Sequence, residues 1–193
     1  IGEERQEFKV STEIPYIFNS VFTPEITFSI YKQDSTFLNT KFNSKLHYNI
    51  NSRAKLAINY NSEKSENLEE TIINNVKTFN NYFLGFQFEY KIPKNDFFFN
   101  DKFFLEINPS YGKRTAKNTK SNQFKIEATT SYIWDVNVRN SIFIRNKTSY
   151  LNSDTFIDNE LFRIGGANTL RGFNEQSIFT NSFSFFNIEY RFL

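Results

Sequence analysis

The chain has 193 residues, enough for one domain or part of one, and a net charge of +2, with Lys and Arg spread too evenly to favour a nucleic-acid partner. It contains no Cys, which excludes disulfides, Cys-ligated zinc and thiol catalysis. A polar mean hydropathy of -0.53 coexists with 25 Phe and 10 Tyr, the composition expected of strands whose side chains alternate between an apolar and a watery side.

Period-two alternation dominates from the first third onward. Ile26, Phe28 and Ile30 oppose Glu25, Thr27 and Ser29; Ala54, Leu56, Ile58 and Tyr60 oppose Lys55, Ala57 and Asn59. Leu84, Phe86, Phe88, Tyr90 and Ile92 oppose Gly85, Gln87, Glu89 and Lys91. Phe103, Leu105, Ile107, Pro109 and Tyr111 oppose Glu106, Asn108 and Ser110. Phe124, Ile126, Ala128, Tyr132 and Trp134 oppose Lys125, Glu127, Thr129 and Ser131, and Phe186, Ile188, Tyr190 and Phe192 oppose Asn187, Glu189 and Arg191. Side chains alternate across a strand, so each segment has one apolar and one polar face.

The pattern predicts about ten strands, near 6–15, 24–33, 36–50, 53–62, 79–93, 100–113, 121–134, 138–151, 156–164 and 180–193. Many are longer than soluble strands and match the roughly 9–11 residues that cross a bilayer at a tilt. Short polar connections (Lys32 to Ser35, Asn51-Ser52, Asp135 to Asn137) imply an antiparallel meander, which in lipid has to close into a barrel. A soluble β-sandwich is the alternative, since it also alternates. No stretch approaches the roughly 18 apolar residues of a membrane helix. The chain starts at Ile1, lacks Met and has no signal-peptide core near its start, so a piece of a longer protein is expected.

Two connections are long: 63–78, acidic (Glu63, Glu66, Glu69, Glu70) with room for a helical turn, and 165–179. Long loops of outer-membrane barrels share the extracellular side. With ten strands these two fall on opposite sides, so either a strand is miscounted or one periplasmic turn is unusually long.

Three of the six Gly fall in the second connection, within Arg163-Ile-Gly-Gly-Ala-Asn-Thr-Leu-Arg-Gly-Phe173. Gly serves positive φ or close backbone approach, so a fixed, tucked loop is expected. Arg171 could reach a carboxylate in a polar lumen, or be an incidental Arg on a flexible surface loop. Glu160 and Glu175 could pair with Arg163 or Arg171, although such charges are more often solvated. Tyr132 and Trp134 suit an aromatic girdle as well as an ordinary core. The lone His47 cannot form a metal site, and neither a Gly-x-Ser-x-Gly elbow nor a phosphate-binding Gly loop occurs. No catalytic, cofactor or metal residue is therefore assigned.

The segment Gly165-Gly166-Ala167-Asn168-Thr169-Leu170-Arg171-Gly172-Phe173 resembles the loop-six motif of the BamA/TamA-type outer-membrane barrel family, also called the bacterial surface antigen family. That motif is usually Val/Ile-Arg-Gly-Phe/Tyr after a Gly-Gly pair, and Leu170 is a mild departure from it. Residues 156–163 resemble the strand entering loop six, and 183–193 the strand leaving it. The resemblance implies part of a sixteen-stranded barrel preceded by periplasmic POTRA modules, with loop six folded into the lumen and its Arg on the inner wall. It makes Arg171, Gly172 and Phe173 the docking residues, with Gly165 and Gly166 shaping the start of the loop. Four further strands are expected beyond Leu193, with the partner of Arg171 among them.

The implied location is the bacterial outer membrane, and the implied activity is non-enzymatic insertion or export of other barrel or surface proteins. A weak seam would open and template incoming strands by edge pairing while the bilayer thins locally. The implied partners are outer-membrane lipids, unfolded outer-membrane protein substrates, and accessory periplasmic proteins or lipoproteins. Alternatives are the membrane anchor of a patatin-like phospholipase, a two-partner secretion transporter, and a passive pore.

Overall fold

The structure, a computed structural model, describes residues 5–33, 36–68, 76–94, 100–117, 119–167 and 169–192. Its strands are β1 (Arg5–Glu13), β2 (Phe22–Gln33), β3 (Phe37–Asn49), β4 (Ala54–Asn67), β5 (Phe79–Pro93), β6 (Asp101–Ala116), β7 (Thr119–Asn137), β8 (Asn140–Ser153), β9 (Phe162–Ile164), β10 (Ile178–Thr180) and β11 (Ser182–Phe192). One nine-stranded sheet runs in the order β1-β2-β3-β4-β5-β6-β7-β8-β11, and β9 pairs only with β10. Every pairing is antiparallel. Strands β1 and β11 are the two edges of the sheet and do not pair with each other.

The ninth predicted strand, 156–164, is corrected. Residues 158–160 form a 3₁₀ turn, and only Phe162–Ile164 is strand, outside the main sheet. With that strand removed from the count, the connection after β4 and the excursion from β8 to β11 leave the sheet at the same end. The apparent conflict between the two long loops was the product of a miscounted strand. Residues 63–67 continue β4 rather than opening a loop, while Glu69 and Glu70, with the rest of 69–75, lie outside the described residues. So do Asp34, Ser35, Asn168 and Leu193.

The sheet is inverted relative to a soluble core. Large apolar side chains such as Ile58 (63%), Leu84 (60%) and Ile188 (68%) are exposed, while Asn59 (0%), Ser65 (0%) and Arg114 (2%) are buried. Exposed apolar and more buried side chains alternate along most strands, and register keeps each set on one face, with Phe83, Ile133 and Leu151 buried among the polar residues of the inner one. Ile58 is flanked by Leu46 and Phe86, and Asn59 by Lys45 and Gly85. A sandwich would need a second layer over the apolar face; among the described residues nothing covers it.

The polar face is concave. Glu7 on β1, Lys41 on β3 and Lys125 on β7 line one cavity of about 290 Å³. In a flat sheet β1 and β7 would stand roughly 29 Å apart, six strand spacings, so the meander must be strongly curled. Inside this trough Lys41 pairs with Glu63 at 3.2 Å and Lys125 with Glu127 at 2.6 Å, and His47 Nε2 lies within hydrogen-bonding distance of Glu25 at 2.9 Å.

Candidate functional site on the concave face

After β8 the chain turns back and lays residues 155–164 across the trough. Three contacts hold it there. Ile157 buries its side chain against Phe79 and Ala116 in a small apolar cluster under the segment. Asn159, 1% exposed, donates to Ser65 Oγ (2.5 Å) and to the Lys77 carbonyl (2.8 Å). Its Oδ1 accepts from the Lys77 N–H (3.2 Å), and its carbonyl accepts from Asn39 Nδ2 (3.3 Å). A buried amide has to satisfy both its donors and its acceptor, and this one does so against β3, β4 and the chain entering β5.

The third contact is a buried ion pair. Arg114 projects inward from β6, and its guanidinium pairs with Glu160; both side chains are 2% exposed. Arg114 also donates to the Thr155 carbonyl (2.9 Å), Thr155 Oγ1 (2.6 Å) and Ser121 Oγ (3.2 Å). Glu160 accepts from Gln123 Nε2 on β7 (3.0 Å) and from the Ile157 N–H (3.0 Å). Burial pushes the Glu160 carboxyl above its ordinary range, while Gln123, Arg114 and the Ile157 N–H act in the opposite direction. Charges taken out of water are stabilised only when their remaining hydrogen-bonding capacity is filled, and here most of it is.

On the other flank, Arg163 of β9 lies over the rings of Tyr31 (4.3 Å) and Phe37 (4.8 Å), on β2 and β3. Such cation–π contacts favour a cation partly withdrawn from water. The segment thus reaches from β2 and β3 to β6 and β7, a strut across the curl of the sheet.

The glycine-rich loop follows. Gly165, Gly166 and Gly172 all have positive φ (121°, 94° and 92°), in line with the expectation from sequence. A side chain at Gly165 would strike the Asn174 carbonyl as well as straining the backbone. The loop is closed by its own bonds: Gly165 N–H to Thr169 Oγ1 (2.8 Å), Gly166 N–H to the Leu170 carbonyl (3.1 Å) and Gln176 N–H to the Gly165 carbonyl (3.3 Å). Leu170 is half-buried, and Arg171, Gly172 and Phe173 are exposed at the tip. Arg171 stands 3.7 Å from Glu189 on the edge strand β11 and is 74% exposed. Nearby, Asn187 Nδ2 donates to the Thr169 carbonyl at 3.3 Å.

The motif residues therefore form one loop, with its base on the trough and its tip beside β11. Glu160 pairs with Arg114 rather than with Arg163 or Arg171. Sequence reading missed Arg114, Gln123 and Asn159. Arg114 and Glu160 are 46 positions apart, and no spacing rule links them. His47 meets Glu25, and among the described residues no cluster of metal-ligating side chains occurs. Compared with known proteins, the chain matches no family model and no curated protein.

Proposed function

We propose that this sheet is a lipid-facing wall of a bacterial outer-membrane β-barrel, and that the barrel belongs to a protein-assembly or translocation factor similar to the BamA/TamA type. The observation that carries the membrane reading is the inverted sheet: an exposed apolar face on strands long enough to span a bilayer, over a concave face of paired charges and buried amides. Aromatic side chains collect at the strand ends away from the excursion: Phe22 beside Tyr48 (5.9 Å), Tyr90 beside Phe103 (6.2 Å), then Tyr132, Trp134 and Tyr190. That is where a girdle at the water–lipid boundary belongs. In lipid the free edges of β1 and β11 need strand partners, which the sixteen-stranded barrel implied by the resemblance supplies.

The assembly reading rests on the loop. A glycine-shaped Arg-Gly-Phe tip follows a segment folded onto the concave face, in the position the resemblance assigns to loop six. On this reading no covalent chemistry is involved. The barrel presents strand edges and a distorted bilayer to incoming outer-membrane proteins, with accessory periplasmic proteins or lipoproteins delivering them.

These 193 residues contain no Cys, so single labels can be placed in this sheet once any Cys elsewhere in the full-length protein has been replaced, and the membrane reading can be tested in vesicles. Nitroxides at Ile58→Cys and Ile188→Cys should be relaxed by oxygen, and one at Lys147→Cys on the concave face by a water-soluble nickel reagent. The same accessibility at all three positions would overturn the membrane reading. For the assembly role, Arg171→Ala in the full-length gene should lower the levels of other outer-membrane barrels while its own level holds. Normal growth and normal barrel levels would overturn that role. A large, stable conductance without assembly would assign a passive pore.

A further inference from the structure

The apolar face ends differently at the end that carries the excursion. Its last aromatic residues there are Tyr60, Tyr82, Tyr111 and Phe124, all exposed. On the same face, Lys113 on β6 stands level with Tyr82 and one position above Tyr111, and Lys120 on β7 stands two positions above Phe124. Lys113 pairs in register with Tyr82 and Asn122, and Lys120 with Thr115, which in turn pairs with Asn80. The inward neighbours Gly112, Arg114, Ser121 and Gln123 are buried, so both lysines point outward. Lys117, exposed, adds a third cation at the turn between the two strands. Lys64, on the same face, is already paired with Glu66 at 2.5 Å. Lys113, Lys117 and Lys120 have no carboxylate partner among the described residues, and their register neighbours are neutral.

Three lysines without a carboxylate partner among the described residues rise from the aromatic rim to the β6–β7 turn and form a cationic step where acyl chains give way to headgroups. Lysines at such a boundary lay their stems along apolar surface and place the ammonium among headgroup phosphates. We infer that Lys113, Lys117 and Lys120 form a binding surface for a phosphate-bearing anionic lipid headgroup in the leaflet on the excursion side. The inference rests on the membrane reading above and adds a lipid preference to it. The surface holds the headgroup by charge and the chains by the aromatic rim, so recognition requires both and weakens with salt.

The test uses the full-length protein in vesicles of phosphatidylcholine mixed equally with phosphatidylglycerol, with a trace of spin-labelled phosphatidylglycerol or spin-labelled phosphatidylcholine. The wild-type protein should immobilise the labelled phosphatidylglycerol in preference to phosphatidylcholine, by up to about fivefold per lysine engaged. The preference should vanish in the triple variant Lys113→Gln, Lys117→Gln, Lys120→Gln and survive replacement of the same three by Arg. Equal immobilisation of the two lipids, or a preference undiminished in the glutamine variant, would overturn the inference. Displacement by inorganic phosphate at matched ionic strength would overturn the assignment to a lipid. An Ile58→Cys label in each protein separates the two readings: lipid-exposed there, a missing preference refutes only the headgroup surface, whereas water-exposed, both fall.

Discussion

The excursion between β8 and β11 has two halves that are held in place by opposite means. Residues 155–164 are anchored by side chains, through the Arg114–Glu160 pair, the Asn159 amide and Ile157, all buried. Residues 165–177 are shaped by backbone, through glycines with positive φ and short-range turn bonds, with Arg171 74% exposed at the tip. A glycine motif announces the shape of a loop and says little about what fastens it. The fastening lies upstream, in residues that look unremarkable in sequence. If so, the two halves should fail differently.

The largest effect is expected at the ion pair. Arg114→Ala or Glu160→Ala leaves an uncompensated buried charge and should cost about 3–5 kcal/mol. Urea unfolding of the full-length protein in micelles would measure it, with protease cleavage near residue 155 reporting release of the strut. Replacing both residues by Met should recover much of the loss, because the penalty comes from the charge left behind. A double variant as unstable as the singles would show that the strut needs the specific hydrogen bonds. Asn159→Ala comes next, at about 1–3 kcal/mol, since it strips partners from Ser65 and from both backbone groups of Lys77.

The same contrast explains what could be read in advance. Period two marked the strands because most carry an exposed apolar face opposite a more buried and largely polar one, and eight of the nine strands of the main sheet end within a few residues of their predicted limits. Above the apolar band the signal fails. Glu63 to Asn67 is strand, yet polar on both faces, so the sequence reads as loop. The false ninth strand has a physical cause as well. Residues 156–161 lie along the trough with Ile157 and Asn159 buried, and alternation reports one buried side without reporting a hydrogen-bonded neighbour. Of the site, the glycines were legible because φ preference is local. The Arg114–Glu160 pair was not, because the excursion folding back over the curled sheet brings it together.

The loop half should give smaller effects on stability. Gly165→Ala combines positive φ with a collision against the Asn174 carbonyl, and about 1–3 kcal/mol is expected, confined to the loop. Hydrogen exchange rising at 165–177 while 157–160 stays protected would bear out the division; exchange rising together in both halves would break it. Arg171→Ala should change stability by less than about 1 kcal/mol, because its contact with Glu189 is long and solvated. On the proposed function it should nonetheless depress assembly, and that dissociation of stability from activity is what separates a working tip from a structural one.

The finest test is the pH dependence of the strut. Burial holds the Glu160 carboxyl above the ordinary carboxylate range, even with Gln123, Arg114 and the Ile157 N–H opposing it. A folded-state value raised above the unfolded one means that the folded protein holds this proton more tightly. The resulting stabilisation is complete below the ordinary glutamate value, about 4.3, and is lost as pH rises through the folded value. Acidification from neutrality towards about pH 4 should therefore favour the wild type over Glu160→Gln, whose site does not titrate in that range. The quantity to follow is the difference between their urea midpoints, in which titrations elsewhere in the trough cancel. A difference that moved the other way would mean that the Arg114 charge outweighs burial, and that the strut is an ion pair which acid weakens.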